Sequence, residues 1–135
     1  MSKLIISKRR IGGVMVLDLH GAIKLGEENS YLHKTIRYLV GVGEKKVLLN
    51  LGDVTKIDSS GMGELIAAWT TVQKEGGEVK LLNLTKGVEE LMTLTKLLTV
   101  FDTYENEQDA LLSFKDKTTQ PLDAQIFNSA EVSFG

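Results

Sequence analysis

Val47-Leu48-Leu49-Asn50-Leu51 and, six residues on, Ile57-Asp58-Ser59-Ser60-Gly61-Met62-Gly63 decide the architecture of this chain. The first run is apolar at all but Asn50, the pattern of a central strand covered on both faces. The second brings an acid, two hydroxyls and two glycines one residue apart. Behind it Met62, Leu65, Ile66, Trp69 and Val72 recur at helical spacing, and Gly76-Gly77 closes the run with residues that accept a left-handed backbone. Gly52-Asp53-Val54-Thr55-Lys56-Ile57 reads as the link between strand and loop. Strand, small-residue loop and helix make half of an α/β unit.

The same alternation extends both ways. Toward the N-terminus, Lys3-Leu4-Ile5-Ile6-Ser7 is a short strand, Arg9-Arg10-Ile11-Gly12-Gly13 a turn, and Val14–His20 a second strand. Val14 and Val16 share one face of that strand, while Met15, Leu17 and Leu19 share the other. Leu32, Ile36, Leu39 and Val40 then mark a helix from Glu27 to about Val42. Beyond the central helix, Val79–Leu84 is a strand and Val88, Leu91, Met92 and Thr95 mark a third helix. Leu97–Phe101 leads into a short extended piece, and Glu107, Ala110, Leu111 and Phe114 line a fourth helix. The order predicts an α/β fold, with a mixed central sheet of four to five strands covered by about four helices, over residues 1–114. Residues 115–135 carry the only proline, Pro121, and two apolar clusters, Gln125-Ile126-Phe127 and Val132-Ser133-Phe134. They read as a C-terminal tail that contributes to a homo-oligomer.

Composition narrows the function. The chain has no cysteine, which excludes a disulfide scaffold, a zinc ribbon and a thiol nucleophile. Its 16 basic and 18 acidic residues leave a formal charge of −2, which argues against a nucleic-acid binder. The start lacks the apolar core of a secretory signal, and no apolar run approaches a membrane span, so a cytoplasmic domain is expected. His20 and His33 are the only histidines and have no metal-ligand spacing. Ile57-Asp58-Ser59-Ser60-Gly61 lacks the first glycine of a serine nucleophile elbow, and Gly61-Met62-Gly63-Glu64 lacks the lysine of a phosphate loop. The sequence therefore predicts a binding module with no catalytic residue, metal or cofactor.

Asp58 and the two serines are all good helix caps, and of the hydroxyls Ser60 is the better placed to cap a helix over 60–74. A cap does not need Gly61 and Gly63, each of which weakens the first turn by up to ~1 kcal/mol. Small residues there leave the backbone bare for another protein to approach. A hydroxyl at a helix N-terminus is also a good phosphate carrier, because the amides and the dipole stabilise an anion. Beside Asp58 a phosphate would make a strongly acidic spot and repel a docked partner.

The order of elements, the run Val47–Leu51 and the signature Asp58-Ser59-Ser60-Gly61-Met62-Gly63 resemble the STAS domain of bacterial anti-sigma factor antagonists, over roughly residues 3–114. The resemblance implies that Ser59 is phosphorylated by an anti-sigma factor serine kinase and reset by a PP2C-type phosphatase. The unphosphorylated form would bind the anti-sigma factor and release the sigma factor, thereby regulating transcription. Asp58, Ser60, Gly61 and Met62 would surround Ser59 on the docking surface. Many antagonists read Gly-Glu-Leu-Asp after the second strand, where this chain has Gly21-Ala22-Ile23-Lys24. Gly21 is kept and Lys24 reverses a charge at an expected contact, which predicts a different partner. The alternative reading is a STAS scaffold subunit of a stress-signalling or transporter-associated assembly.

Overall fold

A computed structural model describes residues 4–23 and 27–118. The N-terminal pair forms an antiparallel hairpin, β1 (Ile5–Ile11) and β2 (Val14–Ile23), joined by Gly12-Gly13, with Gly12 at φ +61°. Arg9-Arg10-Ile11, expected in the turn, is the last part of β1. Both arginines have acidic partners: Arg9 pairs with Asp18 at 2.6 Å and Glu107 at 2.8 Å, and Arg10 with Glu44.

From β2 onward every strand pair is parallel. Helix α1 (Glu27–Gly41) leads to β3 (Lys46–Ile57), α2 (Ser59–Lys74) to β4 (Glu78–Leu82), and α3 (Lys86–Leu94) to β5 (Asp102–Tyr104). The sheet order is β1-β2-β3-β4-β5, so each crossover steps one strand in the same direction. Crossovers of one hand then stack their helices on one face. That face holds the larger core: Met15, Leu17 and Leu19 of β2, Val47, Leu49 and Leu51 of β3, with Leu32, Ile36, Leu65, Val72 and Met92 from the three helices. Each fully buried leucine or isoleucine there contributes about 1.5–3 kcal/mol. Trp69 packs edge-on against Phe101 with ring centroids 6.3 Å apart.

Helix α4 (Glu107–Thr118) covers the opposite face, where Ala110 and Phe114 meet Val14, Val16, Leu48 and Leu82. It runs from the Arg9–Glu107 pair toward the hairpin turn, away from the carboxyl ends of the parallel strands. Beneath it Lys80 is 2% exposed. Its ammonium donates to Ser113 Oγ at 2.8 Å and lies 4.8 Å from the centroid of the Phe114 ring, so the charge is solvated by protein groups.

The alternation of β2 divides between the two cores as its sequence predicts. Residues 52–57, expected as a link, continue β3 as strand. The pairing of β2 with β3 shifts register between Asp18 and His20 and again between Gly21 and Ala22, each time leaving one extra residue on β3. Gly52 falls within the first shift, as glycine often does at a bulge. The predicted tail begins inside α4, which continues to Thr118; residues 119–135 lie outside the described residues.

Candidate functional site

Asp58 follows the last residue of β3 and begins the site. Its backbone is extended (φ −118°), and its Oδ1 accepts the Gly61 amide at 2.8 Å, so Asp58 is the N-cap of α2. Ser60, by sequence the better-placed cap of the two hydroxyls, is instead in the first helical turn together with Ser59. An aspartate cap contributes about 1 kcal/mol and brings a negative charge to the positive end of the helix dipole. Its side chain serves Gly61 and its carbonyl serves Met62 at 2.9 Å. Among the described residues, no hydrogen bond engages the Ser59 and Ser60 amides. Both serines are exposed.

The position of this turn is fixed from β2. The Asp58 amide donates to the Ile23 carbonyl at 3.3 Å. A Cβ on Gly61 would lie 1.9 Å from that same carbonyl oxygen, so only glycine lets α2 start this close to the end of β2. Gly61 is therefore buried and serves packing within the chain, not a bare surface for a partner. Met62, also placed on the docking surface by the sequence, is 2% exposed and fills the larger core. Gly63 has no atom within 4 Å of its would-be Cβ and is exposed.

Gly21 lies two residues before Ile23 and holds φ +110°, a conformation that favours glycine, beside the second register shift. Lys24 lies outside the described residues. The residue that the sequence did not single out is Ile23, whose role is played by a main-chain oxygen and leaves no side-chain signature. Lys56 was passed over as part of a link; it is exposed, opposite Ala22 in the register, and two residues before Asp58.

Ser59 and Ser60 line neither of the two clefts at the carboxyl edge of the sheet, of about 460 and 440 Å³. No His, Asp or Glu cluster able to hold a metal occurs among the described residues. The serine turn is exposed and acid-flanked, at the carboxyl ends of the parallel strands of a mixed sheet.

A family model described as the STAS domain matches residues 6–110. The chain belongs to the STAS-domain family. The signature that begins α2 in this STAS domain lies inside the matched span. A relative in Bordetella bronchiseptica, whose name describes it as a putative anti-sigma factor antagonist, BtrV, is 24% identical over 106 residues, covering 78% of this chain and 90% of its own. The crystal structure of an anti-sigma factor antagonist from Mycobacterium paratuberculosis superposes with a TM-score of 0.72 at 22% identity, covering 84% of this chain and 96% of that one. The phosphorylated form of the Bacillus cell fate determinant SpoIIAA superposes with a TM-score of 0.65 at 16% identity, covering 81% and 98%. At these identities the two structures establish the shared STAS fold. No described helix of this STAS domain is long and apolar enough to cross a membrane.

Proposed function

We propose that this STAS domain is a phosphorylation-switched anti-sigma factor antagonist of the cytoplasm, with Ser59 as the acceptor. The observation that carries the reading is the pair of exposed serines in the first turn of α2, whose position is set by the Asp58 cap and by the close approach of Gly61 to the Ile23 carbonyl. The unphosphorylated turn, with Asp58, Ser60 and Gly21 around it, docks on an anti-sigma factor serine kinase and frees the sigma factor. Lys24 belongs to the same contact in this reading, and Gly61 and Met62 support it from beneath.

Phosphorylation of the Ser59 hydroxyl by ATP adds about −1.5 to −2 charge next to the Asp58 carboxylate. The helix tolerates it because the Ser59 and Ser60 amides and the dipole face an anion at that end. The partner does not, because it must bury a local charge raised from −1 to roughly −2.5 to −3. A PP2C-type phosphatase restores the docking form by hydrolysis. The chain itself supplies no catalytic group.

The test is incubation with ATP and the serine kinases of the same genome, followed by phosphopeptide mapping and calorimetry with the kinase that reacts. Phosphate on Ser59 together with loss of binding supports the switch. Phosphate on Ser60 alone overturns the acceptor. Absence of both phosphate transfer and anti-sigma factor binding overturns the antagonist reading in favour of a scaffold role.

A further inference from the structure

The outward face of α1 carries a stripe that neither core nor serine turn accounts for. Tyr31, Tyr38 and Val42, at spacings of seven and four, are 45%, 62% and 57% exposed. Isolated apolar residues on a surface are ordinary, but two tyrosines seven residues apart on α1, with Val42 directly after its last residue Gly41, are a patch. Cations accompany it. Lys34 and Arg37 are exposed between the two tyrosines, and no acid stands three or four residues from either. From β1, Lys8 places its ammonium 5.6 Å from the Tyr38 ring centroid. These three cations form no ion pair among the described residues, unlike Arg9 and Arg10.

We propose that this face of α1 is a second docking surface, whose occupant is an acidic, amphipathic segment of another protein. Apolar side chains of that segment would lie on Tyr31, Tyr38 and Val42, and its carboxylates would meet Lys8, Lys34 and Arg37. Tyrosine suits this role, because it brings large contact area at little conformational cost. Charge decides between a protein segment and a nucleic acid. Three cations on a chain of formal charge −2 give too few phosphate contacts to hold a polyanion, but they match the few carboxylates of one short segment. The surface does not include the serines, so it stands whether or not Ser59 is a switch.

The experiment is a titration of the full 15N-labelled chain, followed by amide chemical shifts, with a peptide of three Glu-Leu-Glu-Glu repeats. A matching Lys-Leu-Lys-Lys peptide and a short DNA duplex are run beside it. The acidic peptide is expected to shift the amides of Tyr31, Lys34, Tyr38 and Val42 with a Kd below about 1 mM at low salt. Lys34→Glu with Arg37→Glu should weaken binding about tenfold or more, and Tyr38→Ser should weaken it measurably, with thermal midpoints unchanged. Lys96→Glu, an exposed cation elsewhere, should bind as the unaltered chain does. Any one of three results overturns the proposal: no shifts on α1, equal loss from Lys96→Glu, or stronger α1 shifts with the DNA duplex.

Discussion

Gly61 and Gly63 look alike in sequence and do different work. A methyl group at 61 meets the Ile23 carbonyl at 1.9 Å, whereas one at 63 meets nothing within 4 Å. Gly61→Ala is therefore expected to destabilise by about 3 kcal/mol or more, the upper range of overpacking. Gly63→Ala should stabilise by up to about 1 kcal/mol through helix propensity. Urea unfolding midpoints of the two variants check the contrast. At the neighbouring Ser59, Ser59→Asp is expected to leave the fold intact and to weaken anti-sigma factor binding at least about tenfold, or ~1.4 kcal/mol, read by calorimetry. Equal binding would remove the electrostatic basis of the switch. The sequence located this turn because Asp, Ser and Gly have strong local preferences. It left the cap open between Asp58 and Ser60, because both residue types cap well and the choice depends on where β2 delivers Ile23. That neighbour is 38 residues from Gly61 and shows nothing in a local window.

The elements were legible where burial is two-sided and periodic. Val47–Leu51 and the two faces of Val14–Leu19 fell where their apolar spacing put them. The second half of β3 was not legible, because Asp53, Thr55 and Lys56 are exposed and the register shifts break the alternation of a flat strand. Arg9 was misread as turn because its partners lie nine and 98 positions away. Those partners give the sheet an acid sensitivity. The Arg9 guanidinium, helped by the Asn50 amide, holds the Asp18 carboxyl below the usual carboxylate range against the opposing effect of partial burial. A carboxyl lowered in the folded state stabilises fully above its unfolded pKa of about 3.9 and loses that contribution as pH falls through this range toward its folded value. Asp18→Asn should therefore lower stability at neutral pH and flatten its decline between about pH 5 and 2. Urea midpoints across that interval measure it, and an unchanged slope would rule out Asp18 as a source.

At the scale of the molecule, the sequence puts the expected switch in the serine turn and an expected self-association in residues 115–135. The serine turn lies at the carboxyl ends of the parallel strands, and α4 runs away from it toward the hairpin. Residues 119–135 continue from that far end in sequence. Their removal is expected to leave a folded domain that is still phosphorylated, with a smaller apparent mass in sedimentation. A mass distribution that matches the full chain, after allowing for the missing residues, would remove the tail from assembly. The same separation makes the lone tryptophan a reporter of what the switch leaves untouched. Trp69 is ten residues along α2 from Ser59, about 15 Å by helical rise, with its ring against Phe101. If phosphate acts by surface charge alone, intrinsic emission stays constant in wavelength and intensity while the phosphate is added. A spectral shift would mean that the helix itself moves on the sheet, and the signal would then be mechanical.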